Sequence, residues 1–255
     1  MYAGKRRGWE AEGGSCPTEE IKLVKHWLDV LGSVDHGFPM DVLFVNNIAD
    51  DIKGDHDYKE YVSFINGING NKTKNGSIIV EHRQNIGISF GAYSDAYKKY
   101  KNLYEYFWFT EDDYINISEN CLLNGIDILK NKKINNLPVG FVCTRRRVRV
   151  VRGCTGSCGI TSTEVLNKCY PEGGKLSDFV YNKKKISATQ GEVKEHLPYE
   201  HKLPRHIHNN NYRIWQLEKE YGLVLDWRVK LLGYSNKTTT GTAKEYLGEG
   251  IFRVY

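Results

Sequence analysis

The chain has 255 residues, of which 40% are hydrophobic and 12% aromatic, and a formal net charge of +5. That length and apolar content suit one large domain with a sizeable core and exclude global disorder. The mildly basic balance favours anionic ligands such as nucleotides without demanding a nucleic-acid partner. No apolar run reaches the roughly 18–20 residues of a membrane span.

The opening stretch, MYAGKRRGWEAEGG, is charged and lacks the apolar region of a secretion signal. The six cysteines (Cys16, Cys121, Cys143, Cys154, Cys158 and Cys169) are scattered through a long chain. Together these predict reduced thiols in a cytoplasmic protein with no integral membrane segment. Cys154 and Cys158 form a CxxxC, but no second pair has zinc-ligand spacing.

In chain order, a helix is predicted over 18–31. Thr18 can cap it, Glu19 and Glu20 suit its first turn, and Ile21, Val24, Leu28 and Leu31 share one face before Gly32. A short strand, Val42 to Val45, ends on Asn46, Asn47, Asp50 and Asp51. A helix follows over 57–65, a loop over 66–76, and a strand from Ser77 to Val80 ending on Glu81. The period then changes: Ile88, Ala92, Ala96 and Tyr100 make a helical stripe with Tyr93 and Tyr97 beside it. Next comes an aromatic strand, Tyr106 to Phe109, that runs into Glu111, Asp112 and Asp113. A helix from Ser118 to about Lys130 closes the first half.

This alternation predicts an α/β fold with a mostly parallel sheet flanked by helices and ligands at the carboxyl ends of the strands. The second half is less regular. It offers a strand over 139–151, the turn Gly153-Cys-Thr-Gly156-Ser-Cys-Gly159, and a short helix opened by the capping box Thr161-Ser-Thr-Glu164. Residues 172–208 read as loop. A helix at about 210–221 carries Ile214, Trp215, Leu217 and Tyr221, and strand-like pieces follow at 223–226 and 229–234.

The acid trio poses the sharpest question, because adjacent carboxylates repel unless something positive lies between them. At a strand's end Glu111 and Asp113 project to one side and Asp112 to the other. Two acids on one side suit a hard divalent cation that offsets the charge of a leaving diphosphate. The plain alternative is that they cap the next helix or solvate a turn. Arg145, Arg147 and Arg149 would align on a strand, either as an anion site or as a charged edge. Lys5 to Arg7 is either a diphosphate contact or a solvated terminus.

Asn85-Ile-Gly87-Ile-Ser-Phe-Gly91, followed about twenty residues on by the aromatic strand and Glu111-Asp112-Asp113, resembles the nucleotide-binding half of GT-A fold glycosyltransferases, family-2-like nucleotide-diphospho-sugar transferases. The resemblance covers about residues 40–130. It implies one GT-A-like domain over 1–255, with a nucleotide-sugar-binding half to about 135 and a less regular acceptor-side half after it. It implies a metal-dependent transfer of a sugar from a nucleotide-diphosphate donor to a glycan or other hydroxyl acceptor, with Mn²⁺ or Mg²⁺ bound. Carried over, Asp113 is the metal ligand with Glu111 beside it and His208 as a late ligand, from an HxH with His206. Donor contacts fall on Asn47, Asp50, Arg83, Asn85, Gly87, Glu111 and Asp112. An inverting base would be Glu192 in Gln190-Gly191-Glu192, or Asp178; Glu195 is a further candidate. Two departures stand out: Asn where the family usually has Asp after the strand at 42–45, and no apolar strand at the start of the chain. The alternatives are a sugar-phosphate nucleotidyltransferase, for which Ala3 to Gly8 is a poor loop, and a non-catalytic sugar- or nucleotide-binding module.

Overall fold

The computed structural model describes residues 17–48, 56–84, 88–110, 114–116, 118–143, 158–171, 203–216 and 224–226. The described residues form a mixed α/β structure. Helix α1, Pro17–Ser33, opens on a proline, whose missing N–H is no loss in a first turn. Its buried Val24, Trp27 and Leu31 recur at helical spacing. They pack with Tyr61 and Ile65 of α2, His56–Gly67, against Phe44 of β1, Val42–Ile48, and Ile78 of β2, Ile78–Gln84. β1 and β2 pair in parallel, with Val42 opposite Ile78 and Asn47 opposite Arg83.

Helix α3, Ile88–Tyr100, forms where the stripe predicts one, but its buried face runs through Phe90, Tyr93 and Tyr97, while Ala96 and Tyr100 of the stripe are half-buried. The buried three pack against strand β3, Tyr106–Phe109, whose side chains divide between two core clusters. Phe107 and Phe109 join the cluster of α3, while Tyr106 and Trp108 join the cluster beneath α4, Cys121–Asn131. β3 lies at one edge of a sheet of five strands ordered β3-β7-β6-β5, with β8 also paired to β6. The other members are β5 (Lys133–Ile134), β6 (Leu137–Cys143), β7 (Gly159–Ser162) and β8 (Arg213–Gln216). Helix α5, Thr163–Cys169, and a helical segment at 203–209, α6, lie on the α3 side, contributing Leu166, Leu203 and Ile207 to its core. A separate antiparallel pair joins β4, Tyr114–Asn116, to β9, Val224–Asp226.

Several expectations change. The sheet is mixed rather than mostly parallel: β3–β7, β6–β7 and β5–β6 are antiparallel, and β6–β8 is parallel. Hydrophobic periodicity locates strands but carries no strand direction. Of the helix predicted at about 210–221, residues 213–216 are instead β8, in which Ile214 packs on one core cluster and Trp215 on the other, and 217–221 lie outside the described residues. That is a period of two, and pairing with β6 decides it. The predicted loop of 172–208 ends in α6. Helix α4 starts at Cys121, not Ser118. Its first-turn donors Leu122 N and Leu123 N bond the His36 carbonyl at 3.1 and 3.2 Å, so a distant loop supplies the cap. Gly37 permits that close approach: it sits at φ 79°, and a Cβ there would lie 2.6 Å from Asn120 Oδ1. Thr161 is not a helix cap. It lies on β7 and donates to the Gly140 carbonyl at 2.7 Å, while Ser162 caps α5 by accepting from Val165 N at 3.2 Å. The strand predicted over 139–151 is described as far as Cys143; the rest of it, Gly153 to Ser157 and the piece at 229–234 lie outside the described residues.

Candidate functional site

The polar ends of the first strands meet around α3. Asn47 is 1% exposed on β1, and its Oδ1 accepts from Arg83 Nη1 at 2.6 Å. Arg83 in turn donates through Nε to Asp95 Oδ2 of α3 at 2.7 Å. The guanidinium is thus fixed between a buried amide and a carboxylate, a geometry that its planar fork suits. Two residues before Asp95, Tyr93 donates to the Thr110 carbonyl at 3.0 Å and stacks on Phe109 with ring centroids 4.6 Å apart. Positions two apart on a helix project to nearly opposite sides. α3 therefore holds the end of β2 with one side and the end of β3, immediately before the acid trio, with the other.

The other polar side chain at the end of β1, Asn46, faces the α2 side. Its Nδ2 donates to Tyr58 Oη at 3.2 Å and to His82 Nδ1 at 3.0 Å, and Nε2 of His82 lies 2.8 Å from Asn66 Oδ1. Desolvation holds the His82 imidazole below its ordinary pKa, which favours a neutral ring.

Of the residues selected from the sequence, Asn47 and Arg83 come together as described. Asp50, Asn85, Gly87, Glu111, Asp112, Asp113, Asp178, Glu192 and Glu195 lie outside the described residues, as do Lys5 to Arg7 and Arg145, Arg147 and Arg149. Two placements differ from expectation. Glu81 is not a strand end: it sits within β2 and bonds Lys99 and Tyr100 of α3. His208 and His206 lie on helical residues 203–209 instead of a strand, so their rings do not share a side. His206 stacks on Tyr170 at 5.2 Å. Among the described residues no group of three or more His, Cys, Asp or Glu side chains could hold a metal, and His208 has no such companions there. Cys158 is buried.

Sequence reasoning missed Asp95, His82 and Tyr58, and marked Asn46 as a polar strand end without its partners. Asp95 carried one readable signal, an acid interrupting an aromatic stripe two residues after Tyr93. The other two acquire meaning only from the tertiary structure: strand register sets His82 opposite Asn46, and the packing of α2 brings the Tyr58 hydroxyl to the Asn46 amide.

No family model, no curated protein and no solved structure matches this chain. No described helix is long and apolar enough to cross a membrane.

Proposed function

We propose that the protein is a GT-A-like, metal-dependent glycosyltransferase that moves a sugar from a nucleotide-diphosphate donor to a hydroxyl acceptor. The observation that carries this reading is the double clasp of α3: Asp95 on Arg83 and Tyr93 on the Thr110 carbonyl. It draws the Asn47–Arg83 pair and the strand leading to Glu111-Asp112-Asp113 onto one helix. A fixed guanidinium and three consecutive acids, carried by segments that the same helix holds, are the residue types that a diphosphate with a divalent cation would need. In this reading Asp113 and Glu111 bind Mn²⁺ or Mg²⁺, and Asn47 and Arg83 contact the donor, with Glu192 or Asp178 as the base of an inverting reaction. When bound, the cation supplies charge neutralisation of the leaving diphosphate.

The test is Mn²⁺-dependent binding and turnover across UDP- and GDP-sugars, read by calorimetry and by release of nucleoside diphosphate. Asp113→Ala should abolish metal-dependent donor binding while leaving the circular dichroism spectrum unchanged. Donor affinity equal to that of the parent protein would remove the acid trio from the site. Consumption of nucleoside triphosphate would point to a nucleotidyltransferase instead, and binding without turnover to a non-catalytic module.

A further inference from the structure

Asn46 is fully buried, yet its Oδ1 has no hydrogen-bond partner while its Nδ2 serves two acceptors. A buried acceptor left unsatisfied is uncommon and calls for a reason. The reason lies in the ring opposite. Asn66 Oδ1 can only accept, so the His82 proton resides on Nε2, and the Nδ1 lone pair faces the Asn46 amide. A second proton on that ring would set Nδ1–H against Nδ2–H at 3.0 Å, two donors with no acceptor between them. The acceptor that resolves this conflict belongs to Asn46 itself. Rotating the carboxamide by half a turn brings Oδ1 to face both Nδ1–H and the Tyr58 hydroxyl, which then donates.

We propose that Asn46 is a two-position amide switch, thrown by protonation of His82, that couples pH to the adjoining Asn47–Arg83 pair. The coupling follows from register. Asn46 and Asn47 are consecutive on β1, His82 and Arg83 are consecutive on β2, and the two pairs lie opposite each other. In the protonated state Nδ2 takes the buried place that Oδ1 leaves, so the hydrogen bonding of the side chain next to Asn47 changes at the end of β1. A cation also appears one residue from Arg83.

The groups that bond the ring are Asn46 from β1 and Asn66 from α2, and Tyr58 of α2 bonds the Asn46 amide. On β2 the flanking Glu81 and Arg83 project to the other face. There Lys99 and Tyr100 hold Glu81, and Asn47 and Asp95 hold Arg83. Among the described residues no carboxylate hydrogen-bonds the ring; His82 itself is exposed, and Asn46 is the buried side chain that its Nδ1 meets.

The switch is independent of the proposed function; its effect on donor binding rests on that reading. Nitrogen-15 NMR of the full chain between pH 8 and 5 separates the two. The expected result is an Nε2–H tautomer of His82 at pH 8, and one titration, below pH 6.5, shared by the ring, the Asn46 carboxamide and Arg83 Nε. In His82→Gln the Asn46 and Arg83 signals should no longer titrate, and in Asn46→Asp the ring should titrate at least one pH unit higher. An Nδ1–H tautomer at pH 8, or Asn46 and Arg83 signals indifferent to the ring, overturns the proposal. If Asn46→Asp does not fold, the parent protein and His82→Gln still decide it. Calorimetry with Mn²⁺ and the UDP- or GDP-sugar that binds best at pH 8 should show at least about fivefold weaker binding at pH 5.5, a loss absent from His82→Gln. Equal losses in the two proteins overturn the coupling. Absence of any sugar-nucleotide binding at pH 8 overturns the donor reading, while the NMR result still decides the switch.

Discussion

Arg83 shows how one side chain serves both the fold and the candidate site. Its Nη1 is a donor to the buried Asn47 oxygen and its Nε binds Asp95. Removing it strands a buried acceptor, which costs about 1–3 kcal/mol, whereas the pair with the half-exposed Asp95 contributes less because solvent screens it. Arg83→Ala should therefore lower stability by about 1–3 kcal/mol, measured by urea unfolding, and, under the proposed function, weaken sugar-nucleotide binding. Asp95→Asn should cost well under 1 kcal/mol. Equal costs for the two variants would mean that Asn47 finds another donor. At this scale the sequence was partly legible. Asn47 was marked by its place after an apolar run, although β1 continues one residue past it, and Glu81 was misread by the same logic, because β2 continues to Gln84.

At the scale of elements, the second half of the sheet depends on a glycine and a cap. Gly159 lies where a Cβ would sit 2.3 Å from the Phe141 ring and 2.8 Å from the Val142 carbonyl. Both neighbours are buried, so neither can yield cheaply. Gly159→Ala is expected to cost about 1–3 kcal/mol by overpacking, while Ser162→Ala costs about 1 kcal/mol through loss of the α5 cap. Thermal unfolding of the two variants checks both values, and an unchanged midpoint for Gly159→Ala would refute the packing account. The glycine-rich stretch was readable as a turn. At Gly159 the structure adds a further use, side-chain packing across the sheet. The first helices were legible because their apolar stripes are long. β8 was not, since four residues with Ile214 and Trp215 adjacent fit a helix as well as a strand.

At the scale of the whole molecule, Asp41 joins three distant segments. It accepts from Ser77 N at 2.9 Å and Ser77 Oγ at 2.7 Å, and from Tyr104 Oη at 2.7 Å, linking the chain before β1 to the starts of β2 and β3. The Tyr104 bond, then those from Ser77, hold the carboxyl below its ordinary value of 3.8. Burial, with the bond to Asp41, pushes Tyr104 up to about 12. Because the folded pKa of Asp41 is depressed, its contribution is fully present above its unfolded value near 4 and is lost as pH falls through the folded value. Asp41→Asn should remove that part of the acid sensitivity, about 1 kcal/mol or less for so exposed a carboxylate, in urea midpoints compared at pH 6 and pH 3. Identical pH dependence in both proteins would show that Asp41 carries none of it.

By itself the sequence determined the α/β class, the first helices and strands, and the choice of an aromatic strand ahead of three acids. These are local matters, written in periodicity and in single charges. Only the tertiary structure decided strand direction, the capping of α4 by a remote carbonyl, the fixing of Arg83 between β1 and α3, and the pairing of Asn46 with His82. Each of these depends on groups far apart in the chain, and their hydrogen bonds come into being only when burial removes competing water.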